Sequence, residues 1–311
     1  MIFNKKIFIT IFAIIFFYSL FMMYADIQKI QYNFENININ FLPIMISLLI
    51  FSIFIRSIIQ KILLDQISVK LSIVENFKIF FSGLSMIFTP GGSGQLIKSY
   101  IIHKKYDHSI QKTLPLIFAE RFLDLISITF VISITLIFHR SYESFSILFL
   151  SLFIIGFVFT LTRNEKYLNS FFQKLQKIPK IGKAIPDTTI FISSVHLLHK
   201  KIILLKTLCL LIPITFIDGL ISYFGFLSFD LDIGYFHSIQ LFYTSLLLGV
   251  FSLIPGGIGI MEASLTSLLI HQNISLPLST SITLFVRLCT IWLAFFIGTI
   301  VLVFITRKSR E

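Results

Sequence analysis

Two stretches decide the reading of this chain: Pro90-Gly91-Gly92-Ser93-Gly94 and Pro255-Gly256-Gly257-Ile258-Gly259, 165 residues later. Both interrupt long apolar runs. Three glycines and a proline cannot continue a helix, because glycine pays backbone entropy and proline lacks the N–H. In a membrane protein, apolar segments broken at matching positions of two halves point to a binding site near the bilayer midplane.

The surrounding composition makes this a membrane protein. Of 311 residues, 56% are hydrophobic and 13% charged, and the mean hydropathy is +0.90. That charge content is about half the soluble norm. The apolar runs are continuous, not alternating, so the spans are helices rather than barrel strands. The expected fold is an all-α integral membrane protein forming one transmembrane domain. The net charge of +11 gathers in a few loops, as the positive-inside rule requires. Topology and attraction to anionic lipid head groups account for it; nucleic-acid binding is not indicated. The two cysteines, Cys209 and Cys289, sit in apolar runs with no CxxC and no His/Cys cluster. Neither a metal nor a cofactor is therefore expected.

Working outward from the breaks gives a topology. Lys5 and Lys6 precede a first apolar run, Ile7 to Tyr24, read as a retained anchor with its N-terminus in the cytoplasm. Residues 25–40 form an Asn-rich external loop, and a second span runs from about Phe41 to Ile59. Residues 79–102 are broken at 90–94 and flanked by basic loops on both sides. Each half has about eleven residues, roughly 16 Å of helix, against a core of about 30 Å, which predicts a re-entrant hairpin. Further spans follow at about Leu114 to Phe138, Phe145 to Leu161, Ile202 to Phe229 and Ile282 to Ile305. The basic loop 163–201 is cytoplasmic, with a surface helix expected over Tyr167 to Leu175. Residues 236–271 form the second broken segment, entering from outside. The total is six spans and two hairpins. The halves, about 41–162 and 202–306, are then an inverted repeat in the plasma membrane, with both chain termini in the cytoplasm.

The repeat extends past the glycines. Arg121 follows Pro90 by 31 residues and Arg287 follows Pro255 by 32, each inside the next span. Around them lie further charges in apolar surroundings: Lys98, Glu120, Asp124, Asp218 and Glu262. A charge at mid-bilayer costs about 2.5–3.5 kcal/mol even on permissive scales, so these groups must meet one another or a wet cavity. Glu120–Arg121 and Glu262–Arg287 are candidate ion pairs that could serve only to hold helices together. A half-helix starting at Gly94 or Gly259 also aims unpaired N–H groups inward. Backbone at Gly91, Gly92, Gly94, Gly256, Gly257 and Gly259, with Arg121, Arg287 and Lys98, thus forms a candidate anion site. Glu120, Asp124 and Glu262 would position the arginines or take a proton during a transport cycle, and Gln95 and Asp218 complete the candidate substrate-binding residues. The seven histidines fall in loops or at span ends, where solvation is expected.

The motifs Thr89-Pro90-Gly91-Gly92-Ser93-Gly94, Glu120-Arg121-x-x-Asp124, Ile254-Pro255-Gly256-Gly257-Ile258-Gly259-x-x-Glu262 and Arg287 resemble the transmembrane (flippase) domain of lysylphosphatidylglycerol synthetases of the MprF type. Stand-alone YbhN-like proteins and the membrane part of the archaeal dolichol glycosyltransferase AglD share this domain. Gln95 stands where the family commonly has an acid, and Lys98 where it commonly has arginine. The resemblance implies translocation of a membrane lipid, either an anionic phospholipid or a polyprenyl-phosphate lipid. No aminoacyl- or glycosyltransferase domain is recognisable in these residues, so an enzyme is not expected. Candidate partners besides lipid are a separate transferase and a second copy of the chain. Two other classes fit the pattern: a small-solute or ion transporter, and a non-catalytic membrane partner of such a transferase.

Overall fold

A computed structural model describes residues 26–89, 94–164, 166–170 and 188–308. The first apolar run, Pro90 to Ser93 with Gly91 and Gly92, and residues 165 and 171–187 of the 163–201 loop lie outside the described residues. What is described is helical, with no strand among those residues. The helices in chain order are α1 (Ile27–Glu35), α2 (Leu42–Gln66), α3 (Ile73–Leu84), α4 (Ile97–Tyr106), α5 (Ile110–Phe138) and α6 (Tyr142–Arg163). They continue with α7 (Thr188–Leu198), α8 (Lys201–Leu227), α9 (Tyr235–Phe251), α10 (Ile260–His271), α11 (Leu276–Arg287) and α12 (Leu293–Lys308). Among the described residues, five segments are long and apolar enough to cross a membrane: Ile39–Gln66, Ile110–Phe138, Tyr142–Arg163, Lys201–Leu227 and Leu276–Phe304. These are the five spans the hydropathy places in this part of the chain. α2 outlasts its apolar run because Lys61 and Asp65 pair along its last turns.

The Asn-rich stretch 25–40 is not wholly a loop. Asp26 accepts a hydrogen bond from the Lys29 N–H and starts α1. α1 buries Ile30, and Asn33 Nδ2 donates to Ser281 Oγ at 3.0 Å. The polar composition concealed a helix whose apolar side faces the bundle. In the basic loop, residues 166–170 are helical. Leu168 packs with Phe191, Ile192 and Val195 against Leu114 and Leu161, so this part docks on the bundle.

Each glycine break separates two arms that pack side by side, α3 on α4 and α9 on α10. Ser72 and Glu75 cap α3 reciprocally. At the second break the chain turns through left-handed backbone at Gly256 (φ 61°), Gly257 (φ 64°) and Gly259 (φ 89°), which glycine reaches without a Cβ clash. At the first, the Gly94 N–H donates to Thr89 Oγ1 at 2.5 Å. The arms contain 12, 10, 17 and 12 residues, roughly 15–25 Å each at 1.5 Å per residue.

Packing between the broken segments and the spans is reciprocal. α3 lies on α12, and α9 lies on α5, so the first arm of each broken segment rests on the span that follows the other one. α2 and α8 pack together at the centre. Gly298 permits the α3–α12 approach: a Cβ there would fall 2.6 Å from the Ser85 nitrogen. Gly156 has open space around it and mediates no such contact. Hydroxyl pairs Ser127–Thr215, Ser144–Thr244 and Thr266–Thr283 link helices across buried seams.

Candidate functional site

The charges that hydropathy places inside the bundle meet there in two assemblies. The larger is built on α5. Asp124 lies at the helix midpoint, facing Arg56 of α2 and Asp218 of α8. The Arg56 guanidinium donates to Asp124 Oδ1 at 2.5 Å and to Asp218 Oδ2 at 2.8 Å. Its Nε donates to Ser52 Oγ at 3.3 Å. Arg121, one turn before Asp124, holds the other carboxylate oxygen at 3.1 Å. Burial is incomplete here: the Arg56, Asp124 and Asp218 side chains are 25%, 17% and 18% exposed, and that of Arg121 is 51% exposed.

Beside them, Lys98 of α4 reaches Glu120 of α5 at 2.7 Å. Its ammonium lies 4.8 Å from the centre of the Phe80 ring. Its stem crosses α3 at Gly83, where any Cβ would collide with it. Glu120 therefore pairs with Lys98, not with Arg121 as the sequence alone offered. Adjacent residues on a helix diverge by about 100°, so Glu120 and Arg121 cannot share one partner position.

The second assembly closes the other break. Arg287 Nε donates to Glu262 Oε1 at 2.6 Å, Nη2 to the Gly256 carbonyl at 2.8 Å and Nη1 to Met261 sulfur at 3.1 Å. Glu262 Oε2 accepts the Gly259 N–H at 2.7 Å. The arginine thus fastens the turn to α11, and its side chain is 2% exposed, that of Glu262 0%. A five-residue π-helical segment, Leu288–Trp292, follows immediately. The two breaks meet through Phe88, whose ring fills the space beside Gly256, where a Cβ would stand 2.5 Å from it. Phe88 also packs on Trp292, ring centres 4.5 Å apart.

Sequence reading missed Arg56. Its signal was present: a lone arginine inside an apolar run, in a chain whose other interior charges were three cations against four anions. Of the candidate residues, Lys98 joins the first broken segment to Glu120 of α5, Arg121 and Asp124 lie on the same helix as Glu120, Asp218 joins Asp124 through Arg56, and Gln95 is buried just before α4. Gly256, Gly259, Glu262 and Arg287 are joined at the second, and Gly257 packs on Gly249. Three histidines are less solvated than their span-end positions suggested. His139 and His237 stack with ring centres 4.6 Å apart, and His199 packs on Phe122. Among the described residues no group of His, Cys, Asp and Glu could hold a metal ion.

An all-helical, multi-pass bundle with charges paired in its interior defines an integral membrane protein with a polar centre. Residues 7–298 match the lysylphosphatidylglycerol synthase TM region, and the chain belongs to that family. It is also similar to a UPF0104 membrane protein of Methanocaldococcus jannaschii: 28% identical over 241 residues, which cover 70% of this chain and 93% of that protein.

Proposed function

We propose that this protein is a lipid translocase that receives a phosphate-bearing head group between its two broken segments while the acyl chains stay in the bilayer. The reading includes six spans, two re-entrant hairpins of opposite entry, and both termini in the cytoplasm. The observation that carries it is the half-exposed Arg121 beside the partly exposed Arg56–Asp124–Asp218 bridge. Arg121 sits roughly 10 Å of helix inside the apolar run that begins at Leu114. A cation at that depth needs a hydrated or ligand-filled space. A phosphate there would find a guanidinium suited to bidentate contact. Family membership and the meeting of the two breaks at Phe88 and Gly256 support the same reading. Arg56 ties α2 of one half to α8 of the other through Asp218, so loosening this bridge is a route by which the halves rearrange around a bound head group.

The test is transbilayer movement of labelled phosphatidylglycerol in proteoliposomes, read by chemical quenching of the outer leaflet. The purified chain is expected to accelerate movement. Arg121→Ala and Arg56→Ala are each expected to slow it at least tenfold, a loss of about 1.4 kcal/mol or more. Folded protein that moves neither phospholipid nor polyprenyl-phosphate lipid would rule the proposal out.

A further inference from the structure

The two glycine turns differ in the polar groups beside them; Gln240 Oε1 of the second broken segment, unpartnered among the described residues, lies away from its turn, near His139. At the second, Arg287 has three partners and both Glu262 carboxylate oxygens are engaged. At the first, three buried polar atoms have no hydrogen-bond partner among the described residues: Gln95 Oε1, Ser99 Oγ and Glu120 Oε1. Their residues are 3%, 1% and 8% exposed. Lys98, Ser99 and Ile102 form the buried stripe of α4, and Gln95 is buried in the 3-10 turn immediately before it. Glu120 faces that stripe from α5 through Lys98.

Buried acceptors are rarely left unmet, because each keeps the desolvation cost of leaving water. Lys98 is poorly placed to meet them. Its ammonium is committed to Glu120 and the Phe80 face, and its stem is seated at Gly83. Lys98 and Glu120 also cancel in charge. What remains is an uncharged surface dominated by acceptors: an amide oxygen, a carboxylate oxygen and a hydroxyl. The Gln95 and Glu120 oxygens can only accept and would repel the oxygens of a phosphate, whereas the Ser99 hydroxyl can accept or donate. Groups that carry N–H or O–H complement all three.

We infer that Gln95, Ser99 and Glu120 form a recognition subsite for hydrogen-bond donors on the lipid head group, hydroxyls or an ammonium, while the phosphate is held at Arg121. The inference rests on the translocase reading for its ligand and adds the polarity with which the head group enters: donors toward α4, phosphate toward the exposed side of α5. It also assigns Gln95 a role that needs an oxygen and no charge.

The experiment measures lipid binding to the purified full-length chain by native mass spectrometry, using two matched pairs. Phosphatidylglycerol and phosphatidylmethanol share one negative charge, but only the first has hydroxyl donors. Phosphatidylethanolamine and phosphatidylcholine share a zwitterion, but only the first has N–H donors. Preference within the first pair identifies hydroxyls as the donor, and preference within the second an ammonium. A preference of about fivefold is expected, the worth of one ordinary hydrogen bond. Gln95→Met and Ser99→Ala should each shrink it, and the double variant should shrink it furthest, to what Glu120 Oε1 alone accepts, while Arg121→Ala weakens all four lipids alike. Unchanged emission from Trp292 establishes that each variant is folded. Equal binding within both pairs overturns the subsite, as does a preference undiminished in the double variant. Movement of labelled lipid without head-group preference would sink the subsite alone. Preference without movement would sink the translocase reading and leave the subsite standing.

Discussion

Removing Arg287 should unfold more than it inactivates. The Arg287–Glu262 pair is sealed, with side chains 2% and 0% exposed. In Arg287→Ala, Glu262 keeps the Gly259 N–H but loses its counter-charge, and the Gly256 carbonyl loses a donor. Breaking a buried pair from one side costs about 3–5 kcal/mol, since the surviving charge stays desolvated. That corresponds to a fall in unfolding midpoint on the order of 10 °C. The assay is thermal unfolding in detergent followed by Trp292, the single tryptophan of the chain, whose ring packs on Phe88 beside the second break. The double variant Glu262→Gln with Arg287→Met removes both charges, and the glutamine oxygen can still accept the Gly259 N–H. It should recover most of the loss, because desolvation largely cancels the attraction within a buried pair. A cost below about 1 kcal/mol for Arg287→Ala would show that water reaches Glu262. A double variant as unstable as the single one would show that packing of the guanidinium, not its charge, holds the turn. Either result refutes the argument.

Gly256→Ala places a Cβ on left-handed backbone (φ 61°) and against the Phe88 ring. The backbone term alone is about 1–2 kcal/mol, so denaturant midpoints should fall and Trp292 emission should shift; unchanged values would separate the two breaks. At the opposite end of α3, the Ser72 hydroxyl and then its backbone N–H hold the Glu75 carboxyl below its ordinary value. A carboxyl lowered in the fold stabilises above its unfolded pKa, and that contribution is lost as pH falls through the lowered folded value. In acid titrations, wild type should therefore be more stable than Glu75→Gln between pH 6 and 8, and the difference should close as the acid range is entered; a difference that is absent at pH 6 to 8, or that persists undiminished in acid, would assign the stabilisation to something other than this ionisation.

Much of the architecture is legible in one dimension because the bilayer imposes local rules. A span must carry about 20 apolar residues, and a Pro-Gly-Gly-x-Gly run stops a helix wherever it falls. Hence the five spans and both breaks could be placed from residue order, and Glu262 could be matched to Arg287. α1 was hidden because its polar side dominates its composition, while a single buried Ile30 and the Asn33–Ser281 bond anchor it. The stacking of His139 on His237 was hidden because the rings come from helices far apart in the chain.

Pairing of the interior charges belongs to a different order of information. Expense in hydrocarbon guarantees that Glu120, Asp124, Asp218 and Arg121 find partners, and residue types alone state that much. Which partner each finds depends on where helix faces point after packing. Lys98 takes Glu120 because Gly83 lets its stem pass α3. Asp124 and Asp218 share Arg56 because α2 lies beside both α5 and α8. Periodicity reports which side of one helix is apolar; only the crossing of several helices brings charges 68 and 162 residues apart within hydrogen-bond reach.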